Sequence, residues 1–240
     1  MAQGVIASSV NRVVVGLGVT GLSCARYLYR TGASFSVMDT RDNPPGLAEL
    51  RSEMPEVPVF TGEYPEELIT RASEVIVSPG IAMDDPLVAL ALQAGVDVVG
   101  DIDLFMREAA APVVGITGSN AKSTVTELLG RMAREAGLIV GVGGNLGTPA
   151  LDLLDEANQL YILELSSFQL ELTYSLNPMA ATILNISPDH MDRYDSLNDY
   201  VAAKARIYQG AETAVCNRDE EKIDTQDAKH IISFGLNAPS

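Results

Sequence analysis

The stretch Gly115-Ile116-Thr117-Gly118-Ser119-Asn120-Ala121-Lys122-Ser123-Thr124 constrains this chain more than any other. Before it stands the apolar Pro112-Val113-Val114, and after it Val125 to Ala133 carries apolar residues at three-to-four spacing. The pattern predicts a strand, a turn of small residues and the first turn of a helix. Such a junction attracts anions, because loop N–H groups and the positive end of the helix dipole face one point. Lys122 can then reach the terminal phosphates of a nucleotide, and Ser123 or Thr124 offers a hydroxyl to Mg²⁺. In the general pattern G-x-x-x-x-G-K-[ST] the two glycines would fall at 116 and 121, where this chain has Ile116 and Ala121. An ordinary strand-turn-helix connection with an exposed lysine therefore stays open at this point. Against it stands the position of Lys122, since a lysine in a helix's first turn opposes the dipole unless an anion is present.

A related junction opens the chain. The strand Val13 to Val15 leads into Gly16-Leu17-Gly18-Val19-Thr20-Gly21, the helical Leu22 to Leu28, and a second strand Ser34 to Asp39. This has the form of a G-x-G-x-x-G dinucleotide fingerprint, with Asp39 standing 18 positions after Gly21. An NAD site is one reading. A Rossmann-like half that holds some other nucleotide or nucleotide-linked substrate is another, because Thr40-Arg41 can receive a phosphate or a base edge. A glycine turn used only for helix-on-strand packing is the third.

Farther on, Glu74 to Val77 followed by Ser78-Pro79-Gly80 predicts a buried parallel strand, Pro86 to Ala94 a helix and Val96 to Val99 another strand. Strands alternating with helices imply a parallel sheet covered on both faces, with ligands at the strands' carboxyl ends. Asp101 to Glu108 starts with a plausible capping aspartate, and Ala109 to Pro112 breaks the pattern. The expected fold is thus α/β: a Rossmann-like unit over 1–98, then a P-loop-type α/β unit over 99–240. In the second half three apolar runs end in polar residues, at Gly143-Gly144-Asn145, Glu164-Leu165-Ser166-Ser167-Phe168-Gln169 and Ser187-Pro188-Asp189-His190. A parallel sheet would bring all three to the edge that carries the Lys122 loop.

Composition excludes several classes of partner. The formal net charge of −16 leaves no basic face for nucleic acid or an anionic membrane, so anionic substrates must be met by local cations. No apolar run is long enough to span a bilayer. Cys24 and Cys216 lie far apart without metal-ligand spacing, each in an apolar context that predicts a buried free thiol and fits a reducing, cytoplasmic setting.

Taken together, the motifs resemble the Mur ligases of peptidoglycan synthesis, and most closely their D-glutamate-adding members. The pieces that carry the resemblance are Gly16 to Gly21, Met38-Asp39-Thr40-Arg41, Ser78-Pro79-Gly80, Gly100 to Phe105, Gly118 to Thr124, Gly143-Gly144-Asn145, Leu163 to Glu171 and Asp189 to Tyr194, in the family's order through nearly the whole chain. The resemblance implies that Val19, Thr20, Thr40, Arg41 and Gly80 line a pocket for the uridine nucleotide end of UDP-N-acetylmuramoyl-L-alanine, which displaces the NAD reading. It maps the ATP loop onto Gly118, Ser119, Asn120, Ala121, Lys122, Ser123 and Thr124, and the loop is expected to bind, the Ala121 methyl being tolerable if that residue sits at negative φ.

The same resemblance implies two Mg²⁺ ions, one held by Ser123 and Glu164 and one by His190 and Lys204, with Asn145 touching the substrate. It gives Lys122, His190 and Lys204 catalytic roles. It further implies that Lys204 is N-carbamoylated, since a bare ammonium repels Mg²⁺. The implied reaction is ATP-dependent amide formation with D-glutamate in a cytoplasmic monomer. Family members carry a third, C-terminal domain, so these 240 residues are expected to stop before the central domain is complete and not to form the amide bond alone.

Overall fold

The computed structural model describes residues 11–220, 223–225 and 228–236. The chain divides into two compact units between Asp101 and Ile102. The last residues of the expected stopping point, 237–240, lie outside the described residues.

In the first unit strands and helices alternate as β1 (Arg12–Val15), α1 (Val19–Arg30), β2 (Phe35–Asp39), α2 (Leu47–Glu53), β3 (Val59–Thr61), α3 (Glu66–Thr70), β4 (Glu74–Val77), α4 (Pro86–Gln93) and β5 (Asp97–Val99). Every strand pairing is parallel, in the order β3-β2-β1-β4-β5. Val13, Val14, Val15, Val37 and Ile76 are buried, as expected where helices cover both faces of a parallel sheet. The glycines of the first junction are structural needs. A Cβ on Gly21 would lie 1.8 Å from the Gly16 carbonyl oxygen, so α1 can sit this close to β1 only without a side chain there.

The second unit takes in most of α5 (Asp101–Glu108), then β6 (Val113–Thr117), α6 (Lys122–Glu135), β7 (Val140–Gly144), a short 3₁₀ turn at Ala150–Leu153, β8 (Leu160–Glu164), α7 (Ser167–Glu171), β9 (Ala180–Ile183), α8 (Leu197–Ala205), a 3₁₀ turn at Arg206–Tyr208, β10 (Thr213–Asn217) and β11 (His230–Phe234). This sheet is also all parallel, in the order β11-β10-β9-β6-β8-β7. β6 thus lies between β8 and β9, and the loops that leave β6, β7, β8 and β9 share one edge. Helix α6 is anchored over β7 and β8 by a cluster built on Ile116, Ala133 and Ile162, with Val125, Leu129 and Val142 packed against it. Gly130 lets it approach, because a Cβ there would meet the Val142 side chain at 2.8 Å.

Several boundaries differ from the sequence pattern, each for a visible reason. β6 continues through Gly115-Ile116-Thr117, expected as turn, because Ile116 is buried in the sheet core and the Thr117 hydroxyl donates to the Leu165 carbonyl at 2.7 Å. β7 takes in Gly143 and Gly144, where a Cβ would strike the carbonyls of Thr148 and Glu164 at 2.2 and 2.3 Å. β9 stops at Ile183, before the expected Ile186, because Leu184 to Ser187 turns to bind the loop after β6. Neither cysteine is in a disulfide, but Cys216 is only half-buried, in contrast to the buried Cys24. Among the described residues no helix is long and apolar enough to cross a membrane.

Candidate active site

Helix α6 begins without a side-chain cap and without an acidic residue in its first turn. Its first N–H groups and its dipole therefore lack a negative partner, and Lys122 adds positive charge at the same end. The Lys122 ammonium donates to the Ser119 carbonyl at 3.1 Å. The loop itself is stitched to the turn after β9: Ser119 N–H donates to the Asn185 carbonyl, Asn120 N–H to Asn185 Oδ1, and the Ser119 hydroxyl to the Ser187 carbonyl at 2.9 Å. Such cross-links fix the loop before any ligand arrives.

Ala121 does not meet the condition of negative φ. It lies at φ +63°, in the left-handed region, and not at negative φ. The turn from β6 into α6 demands that conformation, and a methyl there costs on the order of 1 kcal/mol relative to glycine. The loop is strained but formed.

Lys122, Asn145, His190 and Lys204 surround one cavity of about 230 Å³, together with Ser166, Ser167, Phe168 and Tyr200. Asn145 follows β7. His190 belongs to the loop after β9, at φ +54°, with its ring 4.9 Å from that of Phe168 and its Nε2 3.5 Å from Asp189 Oδ2. Of the expected ATP loop only Lys122 lines this cavity, and Ser123 and Thr124 line a separate hollow along α6 with Glu127, Leu128 and Arg131.

Glu164 ends β8 and is only 2 % exposed. It is not a helix cap. That part falls to Ser166, which forms a capping box with Gln169 at the start of α7. Glu164 Oε1 accepts from Asn145 Nδ2 at 3.0 Å, while Oε2 is buried with no hydrogen-bond partner among the described residues. A buried carboxylate oxygen without a partner is costly unless a cation meets it. Among the described residues no three His, Cys, Asp or Glu side chains converge to hold a metal by themselves. Mg²⁺ does not need that: it commonly takes one or two protein oxygens and completes its shell with phosphate and water. The unpartnered Glu164 oxygen fits such an ion.

Lys204 is likewise 2 % exposed, where a helix lysine would ordinarily be solvated. Its Nζ donates to the Gly118 carbonyl at 3.0 Å and lies 4.6 Å from the centre of the Tyr200 ring. Burial lowers its pKa to about 7; Lys122 adds to the shift, and Asp189 and Glu164 oppose it. Sequence reasoning missed Tyr200, whose hydroxyl lies 3.1 Å from the Ser119 hydroxyl. Its signal was available, since Tyr200 stands one helical turn before Lys204 on α8.

At the first junction the carboxyl ends of β1, β2 and β4 place Val19, Thr20, Thr40, Arg41 and Gly80 along one sheet edge, with Val19 72 % exposed. Asp39, however, is saturated. Its Oδ1 accepts from Arg41 N–H and Nε, and its Oδ2 from Leu17 N–H at 2.7 Å and Arg41 Nη2 at 2.6 Å. A carboxylate has about four acceptor positions, so none remains for the ribose hydroxyl that an NAD site requires.

The sequence matches the family described as Mur ligase MurD-like, N-terminal domain, over residues 10–100, and the Mur ligase middle domain over residues 116–240. The chain belongs to the Mur ligase family. It is 54 % identical over 239 residues to the UDP-N-acetylmuramoylalanine–D-glutamate ligase of Pseudomonas aeruginosa, covering 99 % of this chain and 53 % of that one. The ligase of the same name from Legionella pneumophila strain Paris is 51 % identical over 234 residues, covering 95 % and 52 %. The chain thus spans about half the length of the curated relatives it matches. Two solved structures share the α/β fold: the UDP-N-acetylmuramate:L-alanyl-gamma-D-glutamyl-meso-diaminopimelate ligase from Neisseria meningitidis, at 16 % identity, 95 % and 78 % coverage and a TM-score of 0.62, and the UDP-N-acetylmuramate–alanine ligase of Thermotoga maritima, at 20 %, 95 % and 53 % and 0.54.

Proposed function

We propose that this chain carries the uridine-nucleotide unit and the ATP unit of a ligase that joins D-glutamate to UDP-N-acetylmuramoyl-L-alanine. The observation that carries the reading is the cavity edged by Lys122, Asn145, His190 and Lys204, next to a Glu164 whose Oε2 has no partner. The names of the relatives at 51 % and 54 % identity support the choice of substrates.

In this reading the γ-phosphoryl of ATP passes to the muramoyl substrate's carboxylate, and the D-glutamate amine then displaces phosphate to leave an amide. The protein's share is positioning and charge. The uncapped start of α6 binds phosphate oxygens through its N–H groups, and Lys122 exchanges the Ser119 carbonyl for the terminal phosphates. Ser123 and Glu164 would hold one Mg²⁺ ion and His190 and Lys204 a second, offsetting the negative charge gathered between triphosphate and carboxylate.

An ammonium at Lys204 would oppose a cation. Its pKa of about 7 leaves much of the amine neutral near neutral pH. A neutral amine can add CO₂, forming an N–C bond, releasing a proton and presenting a carboxylate in place of the positive charge. Val19, Thr20, Thr40, Arg41 and Gly80 would receive the uridine diphosphate end.

The test is thermal unfolding with UDP-N-acetylmuramoyl-L-alanine, UDP or NADH added separately. A ligand that binds only the folded state raises the melting temperature. The uridine compounds should raise it and NADH should not; stabilisation by NADH alone would reverse the assignment.

A further inference from the structure

Asn145 and Glu164 stand at the ends of neighbouring strands, and the backbone locks them together. In the parallel register Gly144 pairs with Glu164, and Asn145 N–H donates to the Glu164 carbonyl at 2.8 Å. Gly144 lies so close to that carbonyl that a Cβ would sit 2.3 Å from it. The side chains repeat the contact, Asn145 Nδ2 to Glu164 Oε1 at 3.0 Å. Both ends of that hydrogen bond are therefore fixed by the sheet, and the carboxylate cannot turn without breaking it. One oxygen faces β7 and is occupied; the other is buried without a partner among the described residues.

We propose that Asn145 is a positioning residue that makes Glu164 a one-oxygen ligand and thereby biases the cation site toward Mg²⁺ over Ca²⁺. The inference rests on the Mg²⁺ reading of Glu164 and adds to it a determinant of metal choice. The physical reason is coordination geometry. Mg²⁺ holds single oxygens in a near-ideal octahedron at about 2.0–2.1 Å, whereas Ca²⁺ takes six to eight oxygens at about 2.3–2.6 Å and readily accepts both oxygens of one carboxylate. With one of the two acceptor positions on Oε1 given to the amide and the carboxylate held from turning, a grip that centres both oxygens on one ion is disfavoured, and the larger ion loses a ligand that the smaller one does not use. Freed from Asn145, the carboxylate can rotate to offer both oxygens. Partners of metal ligands commonly change metal affinity by about 10–100-fold when removed.

The experiment measures ATP binding by calorimetry in Mg²⁺ and, separately, in Ca²⁺, with no uridine substrate present, for the 240-residue chain, Asn145→Leu and Glu164→Gln. The ratio of Mg²⁺-supported to Ca²⁺-supported affinity should fall about tenfold in Asn145→Leu, chiefly through weaker binding with Mg²⁺. Circular dichroism should show the variant folded, since Asn145 is exposed at a strand end. An unchanged ratio, including equal losses with both ions, would overturn the proposal, because a merely structural contact weakens both alike. The Glu164→Gln arm separates the two readings. If it keeps the parent's cation dependence, or the parent has none, then Glu164 is not a metal ligand and the reading beneath the proposal has failed; if Glu164→Gln alone loses the dependence and Asn145→Leu keeps the ratio, only the role of Asn145 has.

Discussion

The two glycine-bearing junctions share a plan and close in opposite ways. Each runs from a buried parallel strand through a short loop into a helix with no side-chain cap and no acidic residue in its first turn. At the first, the chain supplies its own anion: the Asp39 carboxylate binds Leu17 N–H in the loop and is gripped by Arg41. At the second, positive groups gather instead. Lys122 starts the helix, Lys204 is buried against the Gly118 carbonyl, and the buried carboxylate Glu164 keeps one oxygen unpartnered among the described residues. A junction that satisfies itself is a rigid floor for a ligand held by neighbouring loops. One left electrostatically open asks for the ligand itself, and a triphosphate with its cation answers both signs of the imbalance.

The comparison can be broken first at Asp39, where the largest stability effect is expected. Replacing it by alanine strands the buried Leu17 N–H and releases Arg41, and should destabilise the first unit by about 2–3 kcal/mol at neutral pH, read from denaturant unfolding. The effect has a defined pH window. Burial alone would raise the Asp39 pKa, but the hydrogen bonds from Arg41 and Leu17 outweigh it and hold the value below the ordinary 3.8. A carboxylate with a depressed folded pKa contributes stability that is fully present above the unfolded value and lost as pH falls through the folded one. The gap between parent and Asp39→Ala should therefore be constant above about pH 5 and shrink below pH 3.8. A gap that persists undiminished into strong acid would show that the ion pair does not hold this junction.

A smaller effect sharpens the contrast from the other side. The first loop meets its left-handed position with Gly16, at φ +92°, whereas the second meets its own with Ala121, at φ +63°. Ala121→Gly should relieve the strain and stabilise the second unit by about 1 kcal/mol, seen as a rise of a few degrees in its melting temperature. A loss of stability would mean that the unfolded-state entropy of the added glycine outweighs the strain.

Much of this was legible in the sequence because it lies in patterns of short range. Buried strands such as Val13 to Val15 and Glu74 to Val77 read as apolar runs, and the two loops read as small residues between a strand and a helix. Among the elements that escaped, β3 has three residues and β11 is exposed along its whole length, so neither carries a buried apolar run that stands out. The site was legible as a set of loops on one edge, but not in its contacts. The grip of Arg41 on Asp39, two residues away, and the left-handed Ala121 depend on local backbone turns that residue types alone do not specify. That Lys204 is buried rather than solvated depends on which groups meet across the sheet, and spacing along the chain does not carry that information. Tyr200 and Ser187 join the site for the same reason, through hydrogen bonds to Ser119 that link residues 81 and 68 positions apart.

The central claim is that the open junction, and not the self-satisfied one, is where ATP binds. Calorimetric titration of Mg²⁺ and ATP into the parent and into Lys122→Ala tests it most directly. Removing a charged donor to phosphate should weaken binding at least about tenfold while leaving the melting temperature of the free protein unchanged, because among the described residues the Lys122 ammonium donates to a loop carbonyl alone. Equal affinity in the two proteins would contradict the account and return the second junction to an ordinary strand-turn-helix connection.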